Sequence, residues 1–208
     1  MLKRFKNYSF ILLFIVFITT GCSSNFNKIN TKDDLNNKNI GVYTGSEYDT
    51  IATNNILNPR ILYYNSYNDQ ISALKSGKID GFLTDEPLAK EIIKENKSLK
   101  ILDEKLTEDS YAFAINPSKP ELQKKINVVL DKMKKNGKLQ ELEEKWMGND
   151  ESKKELDVYE YENSNGVITF ATVSGSAPFA YMKNNKIVGY DIDVINYISK
   201  ELGYKLEI

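Results

Sequence analysis

The sequence predicts an α/β fold with a mixed, largely parallel sheet flanked by helices. Short runs rich in β-branched and aromatic residues recur from residue 39 onward, and the stretches between them carry apolar residues at helical spacing. The same alternation starts again after a charge-dominated stretch ending near residue 164. Strands that alternate with helix-length amphipathic segments are the pattern of a sheet whose strands are joined by helical crossovers.

Folded sequence is expected from Asp34, with strands over 39–43, 61–64, 79–83, 99–102 and 111–115. Thr44-Gly45-Ser46 follows the first strand and opens a helix. Ser66 begins another, with Ile71 and Leu74 on one face, and Gly77 stops it where a positive φ is wanted. A third follows Asp85 and carries Leu88, Ile92 and Ile93; Asp before Glu86-Pro87 is a good N-cap, and proline is welcome in a first helical turn. The longest helix is expected from Ser118, paired with Glu121 in a capping box, with Leu122, Ile126, Val129 and Met133 on one face. Asn136-Gly137 ends it, and further turns bring Leu139, Leu142 and Trp146 together before Gly148.

Residues 34–148 form one module, and 149–164, dominated by charge, reads as a linker. In the unit 165–208, strands are expected at 167–172, 187–188 and 204–208, and a helix carries Val194, Ile195, Ile198 and Leu202 up to Gly203. A unit this small buries little apolar surface, since even a domain of ~60 residues is marginal. It is expected to pack on the first module or to be cut short at residue 208.

Residues 1–22 read as a secretory signal: Lys3, Arg4 and Lys6 precede an apolar run over 10–18. That run is about half of the ~20 residues a membrane-spanning helix needs. Thr19-Thr20-Gly21-Cys22 resembles the lipobox of bacterial lipoproteins, departing from it at Thr19, where an aliphatic residue is usual. The resemblance implies lipidation at Cys22, a mature chain anchored by acyl chains outside the cytoplasmic membrane, and a flexible tether over 23–33. The alternative is an ordinary signal peptide with a stray thiol. Removing the three basic residues of the signal from 28, against 29 acidic ones, leaves 25 against 29, a net charge of −4. Nothing in that balance suggests a nucleic-acid partner. With no histidine and a single cysteine, catalytic triads, zinc sites of the usual kind and disulfides are excluded.

Four motifs in order, DLNNKNIGVYTGS (34–46), ALKSGKIDGFLTDEP (73–87), YAFAINP (111–117) and NGKLQELEEKWMG (136–148), resemble the second half of the family-3 extracellular solute-binding proteins of amino-acid ABC importers. The stretch from Val167, ITFATVSGSAPFAYMKNNKIVGYDIDVINYISKELGYKLEI, resembles the start of the same domain. The resemblance implies a periplasmic-binding-protein-like (type II) lobe followed by an incomplete β-α-β unit of a first lobe. The order fits either a circular permutation, in which late and early segments complete one lobe, or a partial copy followed by the truncated start of a second. The second arrangement is preferred, because the family's first lobe continues well past the point reached here, through a stretch that normally supplies an arginine for the ligand carboxylate.

The family binds small polar solutes, most often amino acids, between two closing lobes and hands them to a membrane permease. It works as a monomer without cofactor or catalysis. On that resemblance the Thr44-Gly45-Ser46 loop meets the ligand carboxylate, Asp85 accepts from its ammonium group, and Phe179 and Tyr181 lie in the segment lining the pocket. Each position has a purely structural alternative: Gly45 permits a turn, Ser46 and Asp85 cap helices, and Phe179 packs in a core. Asp80, Trp146 and the Tyr63-Tyr64 pair read as structural, and Asp191 and Asp193 as helix-start carboxylates. Competing functions are a ligand-sensing ectodomain and a truncated copy that binds nothing.

Overall fold

The computed structural model describes residues 28–108, 110–159 and 165–208. Cys22 and the signal and lipobox residues lie outside them.

The first module is built on a three-stranded parallel sheet of β1 (Asn39–Tyr43), β2 (Arg60–Tyr64) and β3 (Gly81–Phe82), with β1 in the middle. Alternation along β1 sends Ile40 and Val42, both fully buried, to one face. There they meet Leu35, Ala52 and Ile56, the last two supplied by and following α1 (Tyr48–Asn55). Gly41 faces the other way, and a Cβ there would fall 2.6 Å from Ile79 Cδ1, so glycine is needed for close packing. Helix α2 (Tyr67–Lys75) lies against the strands with Gln70 and Ala73 buried, capped by the Ser66 hydroxyl, which accepts from the Asp69 N–H at 3.1 Å. Gly77 takes φ +74°, as its stop position predicts.

Helix α3 (Glu86–Glu95) follows, and then α4 (Pro120–Lys135) and α5 (Lys138–Met147), joined through Gly137 at φ +81°. The capping box expected at Ser118 does not form. Pro120, with its φ set by the ring, takes the first helical position and disfavours helical geometry for Lys119, so the helix starts two residues late. The Ser118 N–H instead donates to Asn116 Oδ1 at 2.9 Å. The runs at 99–102 and 111–115 form no strand and pair with none among the described residues. Leu102 packs on the first core and Phe113 and Ile115 on the second, so their apolar spacing reports burial rather than sheet pairing.

After 165, β4 (Val167–Thr169) pairs parallel with β8 (Lys205–Glu207), and α6 (Tyr190–Leu202) crosses between them, the β-α-β unit expected. An antiparallel sheet of β5 (Gly175–Ser176), β6 (Ala180–Lys183) and β7 (Lys186–Val188) sits between β4 and α6 in the chain. Asn184 and Asn185, both at positive φ, form the two-residue turn joining β6 to β7, a conformation suited to hairpin twist.

The second core joins the two parts of the chain: Ile126, Val129 and Met133 of α4 and Leu142 of α5 pack with Ile168, Val194, Ile195 and Ile198. A buried polar knot lies beside it. Asp193, fully buried, accepts from Lys145 Nζ at 2.7 Å, Trp146 Nε1 at 3.0 Å and the Asp157 N–H at 3.2 Å. The Asp157 carboxylate in turn holds Lys138, Lys145 and Tyr159 at 2.7–3.0 Å. The charge-rich stretch after Gly148 is thus tied down as far as Tyr159, with Lys154 buried and paired to Glu151 at 2.7 Å and to Glu91 of α3 at 3.7 Å.

Candidate functional site

In a parallel sheet, loops at the carboxyl ends of the strands form the crevice where ligands bind. Three segments meet at that edge here: the loop after β1, the start of α2 after β2, and Thr84-Asp85 after β3.

Thr44 folds back on the neighbouring strand, its N–H and hydroxyl both donating to the Tyr64 carbonyl at 2.8 and 3.0 Å. Gly45 takes φ +81°, with open space where a Cβ would stand. The Ser46 hydroxyl donates to the Tyr43 carbonyl at 2.6 Å and accepts from the Tyr48 N–H at 3.3 Å, so it serves the start of α1. The N–H groups of Gly45 and Glu47 have no hydrogen-bond partner among the described residues, and they stand at the positive end of α1.

Asp85 occupies the N-cap position of α3, yet its side chain makes no capping bond. Its Oδ1 accepts from the Tyr48 hydroxyl at 2.7 Å. Tyr48 therefore ties the two loops together, its N–H on Ser46 and its phenol on Asp85. Burial, and then the negative charge of Asp85, push the Tyr48 phenol well above the usual tyrosine range, so it stays a donor. Tyr67 stands beside them, its ring tilted against Tyr43 at 5.1 Å. Burial raises its pKa too, with Asp85 adding to the effect. Among the described residues, Tyr64 Oη and both amide atoms of the fully buried Gln70 lack partners. Asp80, by contrast, is structural: its Oδ2 accepts from the Asn39 N–H at 2.9 Å, joining the approaches to β1 and β3.

Tyr48 and Tyr67 were not singled out in the sequence. The usable signal was a tyrosine opening each helix after a strand, at 48 and 67, but only the fold shows that they converge on Asp85.

Phe179 and Tyr181 lie on the antiparallel sheet of the other unit. Phe179 is buried against Tyr111, ring centroids 4.8 Å apart, and its carbonyl accepts from the Asp191 N–H at the start of α6. Gly189 allows this approach, since a Cβ there would fall 2.2 Å from the Phe179 oxygen. Tyr181 meets Trp146 edge-on at 6.2 Å. Its hydroxyl is raised in pKa by burial, then by Glu151 and Glu91. The contacts of these two residues thus run to Tyr111, Trp146 and the acids near α3, whereas those of Thr44, Ser46 and Asp85 run to Tyr64, Tyr43 and Tyr48.

An open hollow of about 560 Å³ lies between α3 and the end of α5, lined by Lys90, Ile93, Lys94, Met147 and Asn149, away from Asp85. Among the described residues, no group of three or more acidic or cysteine side chains is placed to hold a metal ion, and no helix is long and apolar enough to cross a membrane.

Residues 36–149 and 168–208 match the family described as bacterial extracellular solute-binding proteins, family 3. The chain is 31% identical over 126 residues to the L-cystine-binding protein TcyJ of Escherichia coli (strain K12), a match covering 60% of this chain and 47% of that protein. It is 32% identical over 90 residues to the ABC transporter glutamine-binding protein GlnH of Bacillus subtilis (strain 168), covering 43% of this chain and 33% of the relative. It therefore spans half or less of the length of these relatives. Among solved structures, an ancestral arginine-binding protein bound to arginine superposes with a TM-score of 0.50 at 30% identity, over 58% of this chain and 55% of that one.

Proposed function

The chain belongs to the bacterial extracellular solute-binding proteins, family 3, and from that premise we propose that it is the substrate-binding component of an ABC importer for a small polar solute, an amino acid. The observation that carries this reading is Asp85, its carboxylate bonded to Tyr48 rather than to its own helix, with Tyr48 following directly on the loop whose Gly45 and Glu47 N–H groups have no partner among the described residues. A zwitterion needs one acceptor for its ammonium group and donors for its carboxylate, and charge-assisted hydrogen bonds of this kind contribute about 1.5–3 kcal/mol each. The relatives are binding proteins for cystine, glutamine and arginine, which supports an amino-acid ligand.

In this reading the two lobes close over the solute, with Phe179 and Tyr181 contributed from the second unit, and the complex docks on a membrane permease. The protein works as a monomer outside the cytoplasmic membrane, held there by acyl chains on Cys22, with no cofactor and no catalytic step.

A thermal-shift screen of residues 23–208 against the proteinogenic amino acids tests this. A ligand at 100 times its Kd stabilises a fold by about 2.7 kcal/mol. The expected result is a clear shift with one amino-acid class that disappears in Asp85→Ala. A cooperative melt that no amino acid moves would sink the claim.

A further inference from the structure

We propose that Tyr48 is a positioning residue for the ligand: it pins one oxygen of Asp85 so that the other faces the crevice, which suits a primary ammonium and disfavours a guanidinium at that point. This rests on the reading that Asp85 receives the cationic group of the solute.

Tyr48 is well placed for the task. It is the first residue of α1, its backbone N–H is held by Ser46, and its ring packs on the core of Leu35, Ile40 and Val42. Its hydroxyl reaches Asp85 Oδ1 at 2.7 Å, across the edge from β1 to β3. Asp85 has no bond to its own helix that would otherwise hold the carboxylate, so Tyr48 sets its rotation. A guanidinium recognises a carboxylate best with two parallel N–H···O bonds and needs both oxygens, whereas an ammonium is a compact donor that one oxygen satisfies. With the Tyr48 hydroxyl on one of the two lone pairs of Oδ1, Oδ2 is the freer acceptor of Asp85, and the paired approach of two parallel N–H groups is hindered.

The test is a double-mutant cycle on the mature chain, by calorimetric titration with L-cystine, L-glutamine and L-arginine, and with the α-guanidino analogue of whichever binds. Tyr48→Phe, which keeps the ring, is expected to weaken the amino acid about tenfold and to narrow its preference over the guanidino analogue. The same change in an Asp85→Asn background is expected to cost nothing further. An equal loss in both backgrounds, or an unchanged preference, would make Tyr48 a scaffold residue and overturn the proposal. Should no proteinogenic amino acid bind the wild-type chain, in the titration or in the thermal-shift screen, the transport reading fails on its own. The pairing is then judged without ligand, by 13Cζ-tyrosine NMR: in Asp85→Asn one tyrosine should ionise at lower pH, and an unaltered set of tyrosine titrations would refute the proposal.

Discussion

Asp193 keeps a carboxylate fully out of solvent, and three donors make that tolerable: the Lys145 ammonium, the Trp146 indole N–H and the Asp157 backbone N–H. A buried charge that loses a partner costs more than the pair contributed while intact. Trp146→Phe removes one donor and little apolar surface, and is expected to lower unfolding stability by about 2–3 kcal/mol in urea titrations. An unchanged midpoint would mean that the indole N–H is dispensable. In the sequence, Trp146 was legible only as an apolar member of the α5 stripe, and Asp193 as a helix-start carboxylate. Nothing local says that a tryptophan and an aspartate 47 positions apart will share a hydrogen bond. The same holds at the candidate site: Thr44, Gly45, Ser46 and Asp85 were readable from motif and position, but Tyr48 gained its place only through a contact across the edge of the sheet.

The elements with strong local signals formed where expected. Helix α2 has its serine cap and glycine stop, α5 follows Asn136-Gly137, and α6 ends at Gly203 in the left-handed region. Where two local signals conflicted, the stiffer one prevailed, as when Pro120 displaced the capping box at Ser118. The stretch after Gly148 was read by composition alone; within it Lys154 is buried and Asp157 half-buried in ion pairs, while Asp150, Glu151, Lys153 and Glu155 stay exposed. Burial alone would raise the Asp157 carboxyl, but Lys145, Lys138 and Tyr159 outweigh it and bring it from 3.8 to about 2. A carboxylate depressed in the folded state contributes stability that is present above its unfolded pKa and is lost as pH falls through the folded value. The acid limb of the stability curve between about pH 4 and pH 2 should therefore flatten in Asp157→Asn, measured by urea unfolding at a series of pH values. A mutant curve parallel to the wild-type one would show that Asp157 does not drive the acid response.

At the scale of the molecule the described residues form two cores, one on the parallel sheet of the first module and one in which α4 and α5 close over β4 and α6. The second core uses residues from Ile126 to Ile198, so the late part of the first module and the start of the second unit stabilise each other. Ile198, fully buried at its centre, is the sensitive point. Ile198→Ala is expected to cost about 2–5 kcal/mol and, in hydrogen exchange, to lower the protection of α4 amides together with those of α6. Loss confined to α6 would show that the two parts fold independently.

The sequence by itself determined the α/β class, the family, the boundaries of most helices and the loops that carry Ser46 and Asp85, because caps, glycine stops and hydrophobic periodicity act between near neighbours in the chain. Only the tertiary structure decided that Tyr48 holds Asp85, that Phe179 packs against Tyr111, that Lys154 is buried and that Asp157 pairs with Lys138 and Lys145. Those outcomes depend on which distant surfaces meet, and a hydrogen bond or ion pair across such a meeting leaves no periodic trace in either partner's own segment.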